Sequence, residues 1–353
     1  MLVQSACGGK FGRMTDANGP DSPSAPATPA TVSPSSPSSG SSPFVYYFAD
    51  SGAIKAVPAG GGPPTVLFQG DANRGSLAKL AFDTQGVYFS LSHSTTTGAS
   101  GRATRFSLNT LPAGGGPVTT LATGLDPVDD MARSGAYLYF VTQNRSDSND
   151  GNGNPLASIE RIPVAGGAAE TLTTVAKSVH EIIADSSYVY WTQDDPASPN
   201  APVVGEVMRM LLAGATPETL AQGQHRPFAI TVDSNGLYWT DQGTSDAMHI
   251  CSLTDGSVMT LDASTGSPVT LASGLVAVAS LATQGGDVYW SILNTNCRMA
   301  IGAVFQRNGA TGSTRTRAMA LLPGNLYVDS TTLYFTSAAD AANPVFSVTA
   351  LPR

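Results

Sequence analysis

The sequence predicts an all-β fold: consecutive four-stranded antiparallel units, seven by the leading reading and six by the alternative, arranged in a ring. Three observations predict it. An aliphatic-Tyr-aromatic triplet recurs along residues 44–353, with successive central tyrosines 41, 51, 51, 48, 51 and 45 residues apart. Gly (37) and Pro (24) are abundant, which suits short strands and tight turns and opposes long helices. Charged residues are only 12% against 41% hydrophobic, so the chain can build a large apolar core.

The copies of the triplet are Tyr46-Tyr47-Phe48, Val87-Tyr88-Phe89, Leu138-Tyr139-Phe140, Val189-Tyr190-Trp191, Leu237-Tyr238-Trp239, Val288-Tyr289-Trp290 and Leu333-Tyr334-Phe335. The first needs a Tyr in the aliphatic slot. Five residues before the Tyr stands Asp83, Asp185, Asp233 or Asp329, with Ser134 and Gln284 in the two other copies. A short apolar run precedes it, as in Leu80-Ala81-Phe82 and Ile182-Ile183-Ala184, and reads as a strand buried on both faces. After the aromatic strand come a variable loop and a third strand such as Ser158-Ile159-Glu160-Arg161-Ile162. A Gly-rich turn follows, for example Ala113-Gly114-Gly115-Gly116, where glycine supplies positive φ. Thr-Leu pairs such as Thr171-Leu172 and Thr219-Leu220 then open a fourth, outer strand. Units of 40–50 residues with four strands each are the blades of a β-propeller. The large aromatics belong in the wedge between blades, with their polar tips reaching a partner. One inner and one outer strand are unaccounted for between Phe44 and Arg353, and Ala30-Thr31-Val32 is a candidate to fill in.

The fifth copy reads Tyr238-Trp239-Thr240-Asp241. This pattern resembles the YWTD-type propellers of the low-density lipoprotein receptor class and similar bacterial secreted propellers. The resemblance covers residues 44–353. It implies the fold and leaves the function open, since propellers host binding proteins, hydrolases, lyases and scaffolds.

Residues 17–43 are rich in Ser, Pro, Ala and Thr with Val32 as the single aliphatic residue, so they are expected to form a disordered, semi-stiff spacer. Residues 1–16 contain Ser5-Ala6-Cys7, which resembles the small-small-Cys cleavage site of a bacterial lipoprotein signal, although Gln4 departs from it and the apolar segment is short. Cys7 is therefore either a lipidation site, attaching the chain to a membrane, or a plain thiol. If it carries lipid, Cys251 and Cys297 remain as a pair that an oxidising compartment would allow to bridge across neighbouring blades. The expected location is extracytoplasmic, in a bacterial envelope or secreted.

The net charge of −8 and the lack of a basic run exclude a phosphate-tracking nucleic-acid surface. Candidate site residues come from aligning the copies. Nine positions before the Tyr lie Lys79, Asp130, Glu181, Ala229, Ser280 and Asn325, each followed by Leu, Met or Ile. A polar ring above an apolar layer marks a channel mouth, and Asp129 and His180 sit one residue earlier. Two readings stand: a small polar or cation site, as in gluconolactonase-like metal propellers, or a ring of mutually paired charges. The loop 144–154 offers Asp147, Asn149 and Asp150 for calcium, but the calcium-loop register fails, which leaves a polar loop as the other reading. No serine-hydrolase elbow or zinc spacing occurs. The leading function is thus a non-catalytic, monomeric propeller presenting its loop face to a protein, peptide or glycan. The alternative is a metal-assisted lactonase or lyase.

Overall fold

The computed structural model describes residues 31–32, 44–49, 52–58, 62–70, 75–97, 101–149, 155–195, 203–244, 255–276, 278–292, 301–321, 323–338 and 346–353. It is a seven-bladed β-propeller. Seven separate sheets, antiparallel but for one short strand, follow one another along the chain, and every described element is a strand. Blades two to six have four strands each, in chain order from the inner to the outer strand. Their inner strands are Ser76–Phe82, Val128–Ser134, Ser178–Ala184, Pro227–Asp233 and Val278–Gln284. Among the described residues, the sheet of blade one holds Phe44–Ala49, Ala53–Pro58 and Thr65–Gln69, and that of blade seven Leu326–Val328, Thr332–Ala338 and Phe346–Pro352. Among the described residues, the sheet of blade one shows no inner strand hydrogen-bonded to Phe44–Ala49 and that of blade seven no outer strand, as the strand tally of the repeat implies. Thr31–Val32 forms a strand that runs parallel to the inner strand of blade two.

Each recurring residue has a local cause. The repeated Asp closes the turn between the inner and second strands: Asp185 Oδ1 accepts the N–H groups of Ser187 and Tyr188, both at 2.7 Å, and Asp329 Oδ1 those of Thr331 and Thr332, both at 2.8 Å. A carboxylate in this place satisfies the backbone donors that a two-residue turn exposes. The Gly-rich turn depends on positive φ, with Gly115 at +89° donating to Pro112 O.

Register corrects the first copy of the triplet. Tyr46 pairs with Ala56 and Phe44 with Pro58, just as Tyr139 pairs with Arg161 and Tyr137 with Pro163. The equivalent triplet is therefore Val45-Tyr46-Tyr47, and the aliphatic slot is restored. Hydrogen bonding agrees: Tyr46 donates to Ala113 O in blade two, as Tyr139 donates to Leu212 O in blade four.

The core lies between blades. Tyr139 and Ile159 of blade three pack with Ile182, Val189 and Trp191 of blade four, and Ile183 and Val207 of blade four with Ile230 and Trp239 of blade five. Trp191, Trp239, Trp290, Tyr46, Tyr139, Tyr289, Tyr334, Phe89 and Phe140 are among the largest fully buried side chains. Burying one such ring stabilises the fold by roughly 2–3 kcal/mol. From blade two, Phe82 reaches the junction of blades one and seven, its ring centroid 5.0 Å from Tyr46 and 5.5 Å from Tyr327 of blade seven.

Candidate functional site

The channel mouth is the end of the ring where inner strands begin and second strands finish. Three of its polar side chains bind the next blade. Asp130 Oδ2 accepts the N–H of Ile182 at 2.9 Å, Glu181 Oε2 that of Ile230 at 2.8 Å, and Ser280 Oγ that of Leu326 at 3.0 Å. Each acceptor stands one place before the apolar layer of its own blade, and each donor belongs to that layer in its neighbour. The ring residues thus pin consecutive inner strands together, and Asp130 is only 1% exposed. Ala229 has no such group; its own N–H donates to Thr240 Oγ1, as that of Lys79 donates to Ser90 Oγ. Asn325 lies at the rim of an aromatic cleft between blades seven and one, lined by Tyr46, Phe82 and Tyr327. Asp147 and Asn149 fall on the far part of the second strand of blade three, where the register shifts between Asn144 and Asn149. Asp150, Cys7, Cys251 and Cys297 lie outside the described residues.

A hydroxyl layer outside the sequence-based expectations lies two residues after the Tyr. Ser90, Thr192, Thr240 and Ser291 are completely buried there, and Thr192 donates to Phe228 O across the blade junction. Its sequence signal was present: Ser or Thr follows the aromatic pair in five copies.

Two polar groups on blades four and five break the repeat. On blade four, His180 Nε2 meets Asp194 Oδ2 at 2.8 Å, with the side chains 22% and 8% exposed. A bulge between Val179 and Ile182 lets these two side chains meet. A chain of contacts runs inward from there: Lys177 Nζ lies 3.1 Å from both Asp195 and Glu206, Gln193 donates to Glu206 at 2.7 Å, and the buried Trp191 indole donates to Gln193 at 2.7 Å. Burial opposes the Lys177 charge, but its two carboxylates outweigh burial and hold its pKa above the usual value.

On blade five, Asp241 is 7% exposed. Burial pushes its carboxyl up to about 7, although the His225 N–H and the Trp239 indole oppose the shift. Its Oδ1 has no hydrogen-bond partner among the described residues. Beside it, Arg226 holds φ at +56°, where a side chain with a Cβ is strained. Gln242 N–H donates to Arg226 O and Gly243 N–H to His225 O, both at 3.1 Å, and these bonds lock that turn against the end of the Asp241 strand. The His180 ring sits 5.5 Å from the Phe228 ring, and Pro227, the neighbour of Phe228, is the register partner of Asp241. The two groups therefore form adjoining parts of one mouth surface. Chemically it offers a carboxyl that is part neutral near pH 7, an imidazole oriented by a carboxylate, and a paired lysine. Among the described residues, no three His, Cys, Asp or Glu side chains converge as a metal site.

No family model matches the sequence, and a search of curated proteins finds no match. Solved structures do match in shape. An oligogalacturonate lyase in complex with manganese superposes with a TM-score of 0.55 at 13% identity, over 85% of this chain and 82% of its own. The oligogalacturonate lyase of Vibrio parahaemolyticus gives 0.55 at 9% identity, over 87% and 86%. TolB from Acinetobacter baumannii gives 0.51 at 12%, over 77% of this chain and 62% of TolB, so this chain spans less than two thirds of that protein. At these identities the likeness establishes the propeller fold.

Proposed function

We propose that this chain is an extracytoplasmic, monomeric binding propeller that takes its ligand at the mouth of blades four and five. Asp241 carries the reading: a buried carboxyl with one unpaired oxygen, beside a strained Arg226. Such an arrangement costs stability; among the described residues the other buried polar atoms without a partner, Trp290 Nε1 and Tyr327 Oη, belong to neutral groups, and costs of this kind concentrate at functional sites. The unpaired oxygen calls for a donor, which a glycan hydroxyl or a peptide N–H supplies. Ser5-Ala6-Cys7 and the Ser/Pro-rich stretch after it support an envelope location, and Tyr238-Trp239-Thr240-Asp241 supports the YWTD-type likeness.

The test is calorimetric titration of wild type, Asp241→Asn and His180→Ala with oligogalacturonate, a neutral oligosaccharide panel and an unstructured peptide panel. One class should bind wild type and bind the variants at least ten-fold more weakly. Equal affinity across all three proteins, or no binding to wild type, would sink the reading.

A second reading, a lyase, draws on the His180–Asp194 pair. The 2.8 Å contact of His180 Nε2 with Asp194 leaves Nδ1 as the ring nitrogen that would serve as the base. In β-elimination a base takes the proton beside the uronate carboxylate, a carbon–carbon double bond forms, and the glycosidic oxygen leaves with a proton. Growth of the ultraviolet absorbance of the unsaturated product, with manganese supplied and lost in His180→Ala, would favour it. No absorbance change in wild type would dismiss it.

A further inference from the structure

We infer that Thr31–Val32 is the inner strand of blade one, entering the ring at the channel mouth. Register carries the assignment. Thr31 pairs with Lys79 and Val32 with Leu80. Lys79 is the blade-two member of the polar ring and Leu80 that of the apolar layer beneath it. Thr31 and Val32 thus take the seventh place in each, and Thr-Val continues the series Lys-Leu, Asp-Met, Glu-Ile, Ala-Ile, Ser-Leu and Asn-Leu. This is the one inner strand that blade one lacks among the described residues.

Two consequences follow. The pinning rule seen from Asp130 to Ile182, Glu181 to Ile230 and Ser280 to Leu326 assigns the Asn325 carboxamide of blade seven the backbone N–H of Val32. That bond closes the ring at its seam. The strand also runs parallel to its neighbour, so it starts at the mouth as the inner strand of blade two does. Thr31 then opens this strand on the face that carries Asp241 and His180, whatever ligand that face takes.

The test places Thr31→Cys with Lys79→Cys in the full chain, oxidises the folded protein and maps linked peptides by mass spectrometry. Paired Cα atoms of neighbouring strands fall within disulfide reach. The 31–79 peptide should be the dominant linked product, and a Thr31→Cys, Ser280→Cys control should not link. Hydrogen exchange on the unmodified protein guards against a folding failure of the variant. The Val32 amide should exchange at least a hundred-fold more slowly than in an unfolded peptide, and Asn325→Ala should remove that protection. Unprotected amides at 31–32, or cross-linking no better than the control, would overturn the assignment.

Discussion

Replacing Asp241 by Asn should make the protein more stable at neutral pH, and the gain should depend on pH in a definite sense. Burial raises the Asp241 carboxyl from 3.8 to about 7 in the folded state. Between these values the folded chain holds a proton that the unfolded chain has released. Stability from this group is therefore fully present below the unfolded pKa and is lost as pH rises through the folded one. Roughly three pH units at 1.36 kcal/mol each give a loss of about 4 kcal/mol by pH 8, an upper bound that local relaxation reduces. Asn is shaped like the protonated acid. It keeps an oxygen for the His225 N–H and puts a donor where Oδ1 has no partner, so it resembles the low-pH form at every pH. Urea unfolding of both proteins should show Asp241→Asn ahead by about 1 kcal/mol near pH 4.5 and by about 2–4 kcal/mol near pH 8. An offset independent of pH, or an Asn variant less stable at pH 8, would refute the reasoning and show that the carboxylate has a partner.

Other substitutions probe the frame. Asp130→Ala strips the buried Ile182 N–H of its acceptor and should cost about 1–3 kcal/mol by chemical denaturation, while Asp130→Asn, which keeps an acceptor, should cost clearly less. Asp185→Ala removes the acceptor of two turn N–H groups and of the Tyr190 hydroxyl at 2.8 Å, with an expected loss of about 1–3 kcal/mol in the same assay. Gly205→Ala would drive a methyl into Gln193 O and the Pro227 ring at the junction of blades four and five. It should destabilise by about 1–3 kcal/mol and weaken ligand binding at the mouth, as titration of the bound class would show.

The repeat was legible because it rests on local chemistry. An Asp that closes a turn, a glycine at positive φ and a Tyr that fills a wedge are needed in nearly every blade, so they recur at readable spacing. The first triplet was read one residue late, because Tyr46-Tyr47-Phe48 and Val45-Tyr46-Tyr47 both fit an aromatic strand and only pairing with Ala53–Pro58 separates them. The ring positions align from copy to copy, but the partners of Asp130 and Glu181 are backbone N–H groups some fifty residues onward, invisible to a pattern of side chains. The signals at Asp241 and His180 were hidden for a different reason. The shift of Asp241 comes from burial, which is a property of the packed fold. Asp194 reaches His180 through a bulge that spacing does not announce.

This division says where to look for function. In a ring of repeats, any residue that every blade needs is explained by packing that every blade shares, and such a residue carries little information about a ligand. Asp130, Glu181 and Ser280 fall in that group, because each makes the same bond to its neighbour. Departures from the repeat need another cause. Blade five sets Asp241 where blade four has Gln193, three residues after the Tyr; there the buried Trp191 indole meets a neutral amide, whereas Trp239 turns to Gln224 and Asp241 keeps an unpaired oxygen. A Gln or Asn at 241 would have served the frame at less cost. The retained carboxyl, the strained Arg226 and the His180–Asp194 pair cluster on two adjacent blades of seven. Random drift of a repeat would scatter them round the ring, whereas a ligand seated at one side of the mouth would gather them.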